Sequence, residues 1–244
     1  MIGDSGSSAF FKATSHAFSE TISSCRTRPE LVALLCAQAF DGFSKNVEIQ
    51  AEGEPTLACH GECSACCRLR VAATAPEIFL LARFVSVNAA AFAERDVMLF
   101  KRIADADQAI GGLSEEQRML VQYACPLIEG ELCLAYKVRP LACRGHAAFD
   151  KALCVAAARG EAVETPVSAS HLFVRSIVQN ALMAALRRYG LAWGLYEVSG
   201  ALNCALSAPD ALERWISGQD PLARARIPDF NPVEAGAIFD AVSV

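Results

Sequence analysis

The chain has 244 residues, is 53% hydrophobic and carries a net charge of −5, so it can bury a full core without disulfides or other staples. An acidic balance, with a pI near 5.4, excludes a general nucleic-acid binder, because contact with phosphate needs a basic face. Metal ions, small molecules or proteins remain as partners.

At the N-terminus, the Gly/Ser run over residues 3–8 reads as part of a flexible tail spanning residues 1–15. It has neither the basic stretch nor the apolar core of a secretory signal, and the expected compartment is the cytoplasm. Residues 16–244 read as a single helical domain, with a cysteine core at about 56–160. Thr27-Arg28-Pro29-Glu30 and Thr74-Ala75-Pro76-Glu77 each set a hydroxyl three residues before a glutamate, with proline in between. This is the pattern of a capping box with proline in the first helical turn. After the first box, Val32, Cys36, Ala39, Phe40 and Phe43 share one helical face; after the second, Ile78, Leu81, Val85 and Phe92 do.

A third helix is expected over Arg95 to Gly111, with Leu99, Ile103, Ala106 and Ile110 inward and Gly111-Gly112 ending it. Ser114-Glu115-Glu116-Gln117 opens a short fourth. The pattern then breaks into extended pieces and turns around Cys125-Pro126, Gly130-Glu131 and Arg139-Pro140. Helical periodicity returns from Ala169 to Gly190 through Ile177, Ala181, Leu182, Ala185 and Leu186, with Arg187 and Arg188 complementing the C-terminal dipole. Tyr189 to Ala208 reaches the length of a bilayer span, but its glycines, Asn203 and Glu197 make it costly in lipid. It reads as a buried helix pair, with Leu195, Val198, Leu202 and Leu206 inward, and no membrane partner is expected. The fold class is therefore mainly α: helices surrounding cysteine-rich loops, with short extended segments that build a metal site.

Eight of the eleven cysteines fall in two runs. The first holds Cys59, Cys63, Cys66 and Cys67; the second holds Cys125, Cys133 and Cys143, with Cys154 one segment later. In a reducing compartment, and with an odd total, free thiols are the expected state. Spacings of three and four residues set thiols on one face of a helical turn, or let several reach one metal from a loop, as in zinc and iron–sulfur sites. Adjacent Cys66 and Cys67 point apart, so one of them either packs in the core or serves a second metal.

Four thiolates around a dication leave a charge of about −2. Arg68, Arg70, Arg139 and Arg144 lie a few residues from these cysteines and are candidates to neutralise it. His60 and His146 flank cluster cysteines, as ligands or as groups behind them. Cys36 and Cys204 sit on apolar helical stripes and read as small core residues, and Cys25 as inert. Glu62, Glu129 and Glu131 occupy turns where solvated carboxylates are common. Neither a nucleophile elbow nor a Gly-x-Gly-x-x-Gly loop accompanies the cysteines, so no catalytic group is assigned.

Taken together, Cys59-x3-Cys63-x2-Cys66-Cys67 followed by Cys125, Cys133 and Arg139-Pro140-x2-Cys143-Arg144 resembles the YkgJ-like cysteine-cluster family, whose members are described as zinc- or iron-chelating. The resemblance runs from about Cys59 to Cys154. It implies that Cys63, Cys66, Cys67, Cys125, Cys133 and Cys143 are metal ligands and that Arg139 and Arg144 belong to the cofactor site. Cys59 and Cys154 are counted as candidate metal ligands with these six cysteines, although Cys59 stands one residue further from Cys63 than the family spacing, with His60 as a substitute, and Cys154 lies outside the core pattern. The expected function is a cysteine-ligated iron–sulfur or zinc centre, at least structural, with redox or metal handling in view. A related flagellin lysine N-methylase implies an alternative, S-adenosylmethionine-dependent methylation of a protein substrate. The first three cysteines also have the spacing of a radical S-adenosylmethionine site, but the strand–helix alternation of its barrel does not follow.

Overall fold

Amphipathic stripes and capping groups set most of the helix boundaries. The computed structural model describes residues 5–243, among which eleven α-helices are found. These are α1 (Ser5–Cys25), α2 (Leu31–Gln50), α3 (Ala75–Ala93), α4 (Leu99–Ile110), α5 (Glu115–Val121) and α6 (Leu141–Gly145), then α7 (Lys151–Ala158), α8 (Ala169–Arg188), α9 (Val198–Ser207), α10 (Ala211–Ile216) and α11 (Pro232–Ser243). Four two-residue strands make two antiparallel pairs, β1 (Ala72–Ala73) with β4 (Tyr196–Glu197) and β2 (Ile128–Glu129) with β3 (Leu132–Cys133). The mainly α class expected from the sequence is the class observed.

Helix α8 is the hub, packing on α1, α2, α6 and α11. Val174, Val178, Leu182 and Leu186 are fully buried there. Burial of each such side chain contributes roughly 1.5–3 kcal/mol. A second layer forms where α9 packs on α3 and α4. By length and composition, α3 is the one described helix that could cross a membrane. Its Ile78, Leu81 and Val85 are buried, and the helix packs on α2, α4 and α9.

The boxes at Thr74 and Ser114 both form: the Glu77 carboxylate accepts from Thr74 N at 2.8 Å, and Gln117 N donates to Ser114 Oγ at 3.2 Å. The box expected at Thr27 does not. Residues 26–30 instead make a turn between α1 and α2, closed by Arg28 N to Cys25 O and Leu31 N to Arg28 O, and Pro29 serves that turn. The helix expected from Arg95 begins at Leu99, because Asp96 adopts φ +60° and breaks propagation.

Two further expectations are corrected. From Ser5 onward the supposed tail belongs to α1, where Phe11 and Phe18 are buried; the apolar stripe packing on α8 outweighs the Gly/Ser composition, and residues 1–4 lie outside the described segment. The supposed helix pair over 189–208 is a loop, strand β4 and one helix. Gly190 and Gly194 take φ +65° and +126°, which end regular structure, and the Glu197 carboxylate then caps α9 by accepting from Ser199 N and Gly200 N.

Candidate metal centre

The first cysteine run lies on a loop that tightens into a 3-10 turn, Ala65–Arg68. Cys63 N donates to His60 O, Cys67 N to Ser64 O and Leu69 N to Cys66 O, so each cysteine is set by a local turn. Neighbouring side chains diverge by roughly a third of a revolution on such a turn, yet the Cys66 and Cys67 thiols, expected to point apart, stay close enough to hydrogen-bond to each other.

Cys125 N donates to Cys67 O at 2.8 Å, a direct backbone link between the two runs. The β2–β3 hairpin then returns the chain so that Cys133 pairs with Ile128, whose own N–H bonds to Cys125 O. Gly130, first of the two turn residues, takes φ +61°, which glycine adopts without strain. Cys143 sits on α6, which crosses α8 so closely that a Cβ at Gly145 would lie 2.5 Å from Arg175 Cβ. Cys154 sits on α7, capped by the Asp150 side chain and packed on the 3-10 turn. Cys59 is tied to the segment before α7, its sulfur accepting from Ala148 N at 3.3 Å.

All eight thiols are free, and each lies in the electrostatic reach of others. Cys154 feels Cys59, Cys66 and Cys63; Cys143 feels Cys125, Cys66 and Cys133; Cys67 feels Cys66, Cys125 and Cys143. Cys66 thus joins an outer group, with Cys59, Cys63 and Cys154, to an inner group of Cys67, Cys125, Cys133 and Cys143. As the side chains are placed, no three His, Cys, Asp or Glu among the described residues close on one point as a metal site.

Burial pushes the Cys125 thiol up to about 12 and raises Cys143, Cys133, Cys59 and Cys154 as well. Cys66 moves the other way, to about 7, chiefly because Cys67 hydrogen-bonds to it; Cys67 is driven up by the same bond. The donor set is therefore soft, numerous and mostly protonated when metal-free, and it gains metal by losing protons. Such a set suits zinc or an iron–sulfur cluster.

The four arginines named from sequence separate in space. Arg139 stacks 3.7 Å over the Tyr136 ring, and its charge favours the thiolate at Cys66, Cys59 and Cys133. Arg144 lies over the Phe40 ring and donates to Arg139 O and Lys137 O, which fixes the backbone that carries Arg139. Arg68 donates to Gln122 O, and Arg70 pairs with Glu115 and Asp229. The arginine whose charge acts on Cys125 is Arg118 of α5, which sequence spacing did not single out.

His146 lines a small cavity with Cys66 and Cys154, while the His60 ring accepts from Glu62 N. Cys36 is fully buried in the core as expected, whereas Cys204 is only half-buried.

Residues 58–159 match the CxxCxxCC family, described as a "putative zinc- or iron-chelating domain". The matched segment spans both cysteine runs and Cys154, in agreement with the resemblance read from the residues. Its description supports binding of zinc or iron by this segment. No curated protein and no solved structure matches the chain.

Proposed function

We propose that the protein holds zinc or an iron–sulfur cluster on thiolates drawn from Cys59, Cys63, Cys66, Cys67, Cys125, Cys133, Cys143 and Cys154. The observation that carries this reading is the bond from Cys125 N to Cys67 O, which brings residues 58 positions apart, one from each run, against each other. Zinc would cross-link the loops without redox chemistry, and a cluster would add electron transfer. In either case this chain's own residues divide the work. The 3-10 turn and the β2–β3 hairpin present the thiols, Arg139 offsets thiolate charge, and Arg144 holds Arg139 in place.

The test is elemental analysis and a visible spectrum on protein purified without oxygen, for the wild type and for Cys66→Ser and Cys125→Ser. Stoichiometric zinc or iron in the wild type, lost in both variants together with thermal stability, is the expected result. Metal content and melting temperature unchanged in both variants would defeat the proposal.

A further inference from the structure

The eight thiols divide by what supports them. Cys125 and Cys133 pack against the hydrophobic core, and Cys143 rides on α6, which packs on α2 and α8. Cys67 is tied to this set through the bond from Cys125 N to its carbonyl. Cys59, Cys63, Cys66 and Cys154 lie outside that core, with Cys59 exposed. The thiols acting on Cys154 are Cys59, Cys66 and Cys63, and those acting on Cys143 are Cys125, Cys66 and Cys133, so Cys66 alone falls in both neighbourhoods.

Cys154 is also carried differently. Residues 149–166 form an excursion whose ends are zipped together by Phe149 N to Pro166 O, Ser168 N to Ala147 O and the bridge of Ala148 with Val167. Helix α7, in the middle of it, packs on the 3-10 turn and buries only Ala158. Asp150 caps that helix and Thr165 Oγ1 donates to Leu153 O, so the hydrogen bonds of residues 150–165 close within the excursion, apart from the exposed pair of Lys151 with Glu131 at 3.4 Å. Between α7 and the turn, Cys66 and Cys154 face one cavity of about 90 Å³, with His146 and Thr165 on its wall. A wider cleft of about 530 Å³ undercuts the adjoining face of the helix at Lys151, Val155 and Arg159. A short helix with little buried surface and self-contained hydrogen bonds opens locally at low cost, and the smaller cavity has room for an ion with bound water.

We propose that Cys59, Cys63, Cys66 and Cys154 make a second metal site, distinct from a core site of Cys67, Cys125, Cys133 and Cys143, and that α7 is the lid through which this outer site loads and releases a thiophilic divalent cation. Two tetrathiolate sites use all eight thiols and give Cys66 and Cys67, neighbours in the chain, one metal each. Taking the thiols as metal ligands, as proposed above, the core four hold their metal as part of the fold, and the outer four treat theirs as cargo.

The test is zinc titration of the reduced, full-length chain, with metal already bound counted by elemental analysis and release to excess EDTA followed in time. Two phases are expected, one equivalent of zinc lost fast and the remaining metal lost slowly. Cys154→Ser removes the fast equivalent and retains the slow metal, whereas Cys143→Ser loses the slow metal and melts lower. Where Cys143→Ser does not fold, iodoacetamide labelling of the wild type after the fast phase decides: label on Cys59, Cys63, Cys66 and Cys154 alone supports two sites, and equal labelling of all eight overturns them. Release in a single phase, or a fast equivalent kept by Cys154→Ser, overturns the second site and leaves metal binding itself intact. A chain that binds no metal overturns both.

Discussion

The Glu77 carboxylate accepts a hydrogen bond from Leu141 N at 2.6 Å. Glu77 opens the helix that follows the first cysteine run, and Leu141 opens the short helix that carries Cys143. The same carboxylate accepts from Thr74 N and Thr74 Oγ1 through its other oxygen, at 2.8 and 2.7 Å. One fully buried side chain thus caps α3 and staples the second run to the first.

Glu77→Gln removes this staple without changing volume. Whichever way the amide is turned, its NH2 faces a backbone donor, Leu141 N on one side or Thr74 N on the other. A buried donor left unsatisfied costs roughly 1–3 kcal/mol, and a loss of that size is expected in urea unfolding at pH 7. The variant also loosens Cys143, read as faster alkylation of that thiol in metal-free protein; wild-type stability with an unchanged alkylation rate would count against the staple.

The same residue gives a pH dependence with a defined sign. Burial raises the Glu77 carboxyl above its ordinary 4.5, although hydrogen bonds from Leu141 and Thr74 pull the other way. Between 4.5 and the raised value the folded state binds more protons than the unfolded state, so the contribution to stability falls as pH rises. The advantage of wild type over Glu77→Gln is therefore largest below 4.5, shrinks through that window and levels off above it. Urea unfolding of both proteins across the acid range measures the difference; an advantage growing with pH there would contradict burial as the dominant cause.

Gly145→Ala tests whether close approach of α6 and α8 positions Cys143. The added methyl meets Arg175 Cβ and Cδ, both at 2.5 Å, and Cβ, fixed to the backbone, cannot swing away as Cδ can. Overpacking of this kind costs about 1–3 kcal/mol. Reduced stability and weaker metal retention against a chelator are both expected, and a variant with wild-type values for both would show that the helices can separate freely.

Much of this frame is legible in residue order. Thr74 with Glu77, and Ser114 with Gln117, announce their helices because capping is a local bond between residues three apart. The cysteine runs announce a common site through donor chemistry alone. Leu141 as a second partner of Glu77 is invisible in that way, since the contact spans sixty-four residues. Arg118 is hidden for the same reason: in a seven-residue helix that opens with Glu115 and Glu116 it looks solvated, and only the packing around it reveals its burial. Thr27 shows the converse failure, where a good local pattern yields to the geometry of joining α1 to α2.

The N-terminal segment supplies a last test, because its composition and its packing point in opposite directions. Gly and Ser at residues 5–8 favour a loose chain, yet Phe11 is buried and stacks on Phe239 of α11 with ring centroids 6.0 Å apart, and Phe18 is fully buried. Aromatic pairs add about 0.5–1.5 kcal/mol beyond area, and truncating a buried phenylalanine to alanine costs about 3–5 kcal/mol. Deleting residues 1–15 should therefore lower the melting temperature and speed amide exchange in α11, whereas a true tail could be removed at no cost. Phe18→Ala, which leaves the segment in place, should destabilise by the full core amount; if the deletion is silent while Phe18→Ala is not, α1 begins to matter only after residue 15.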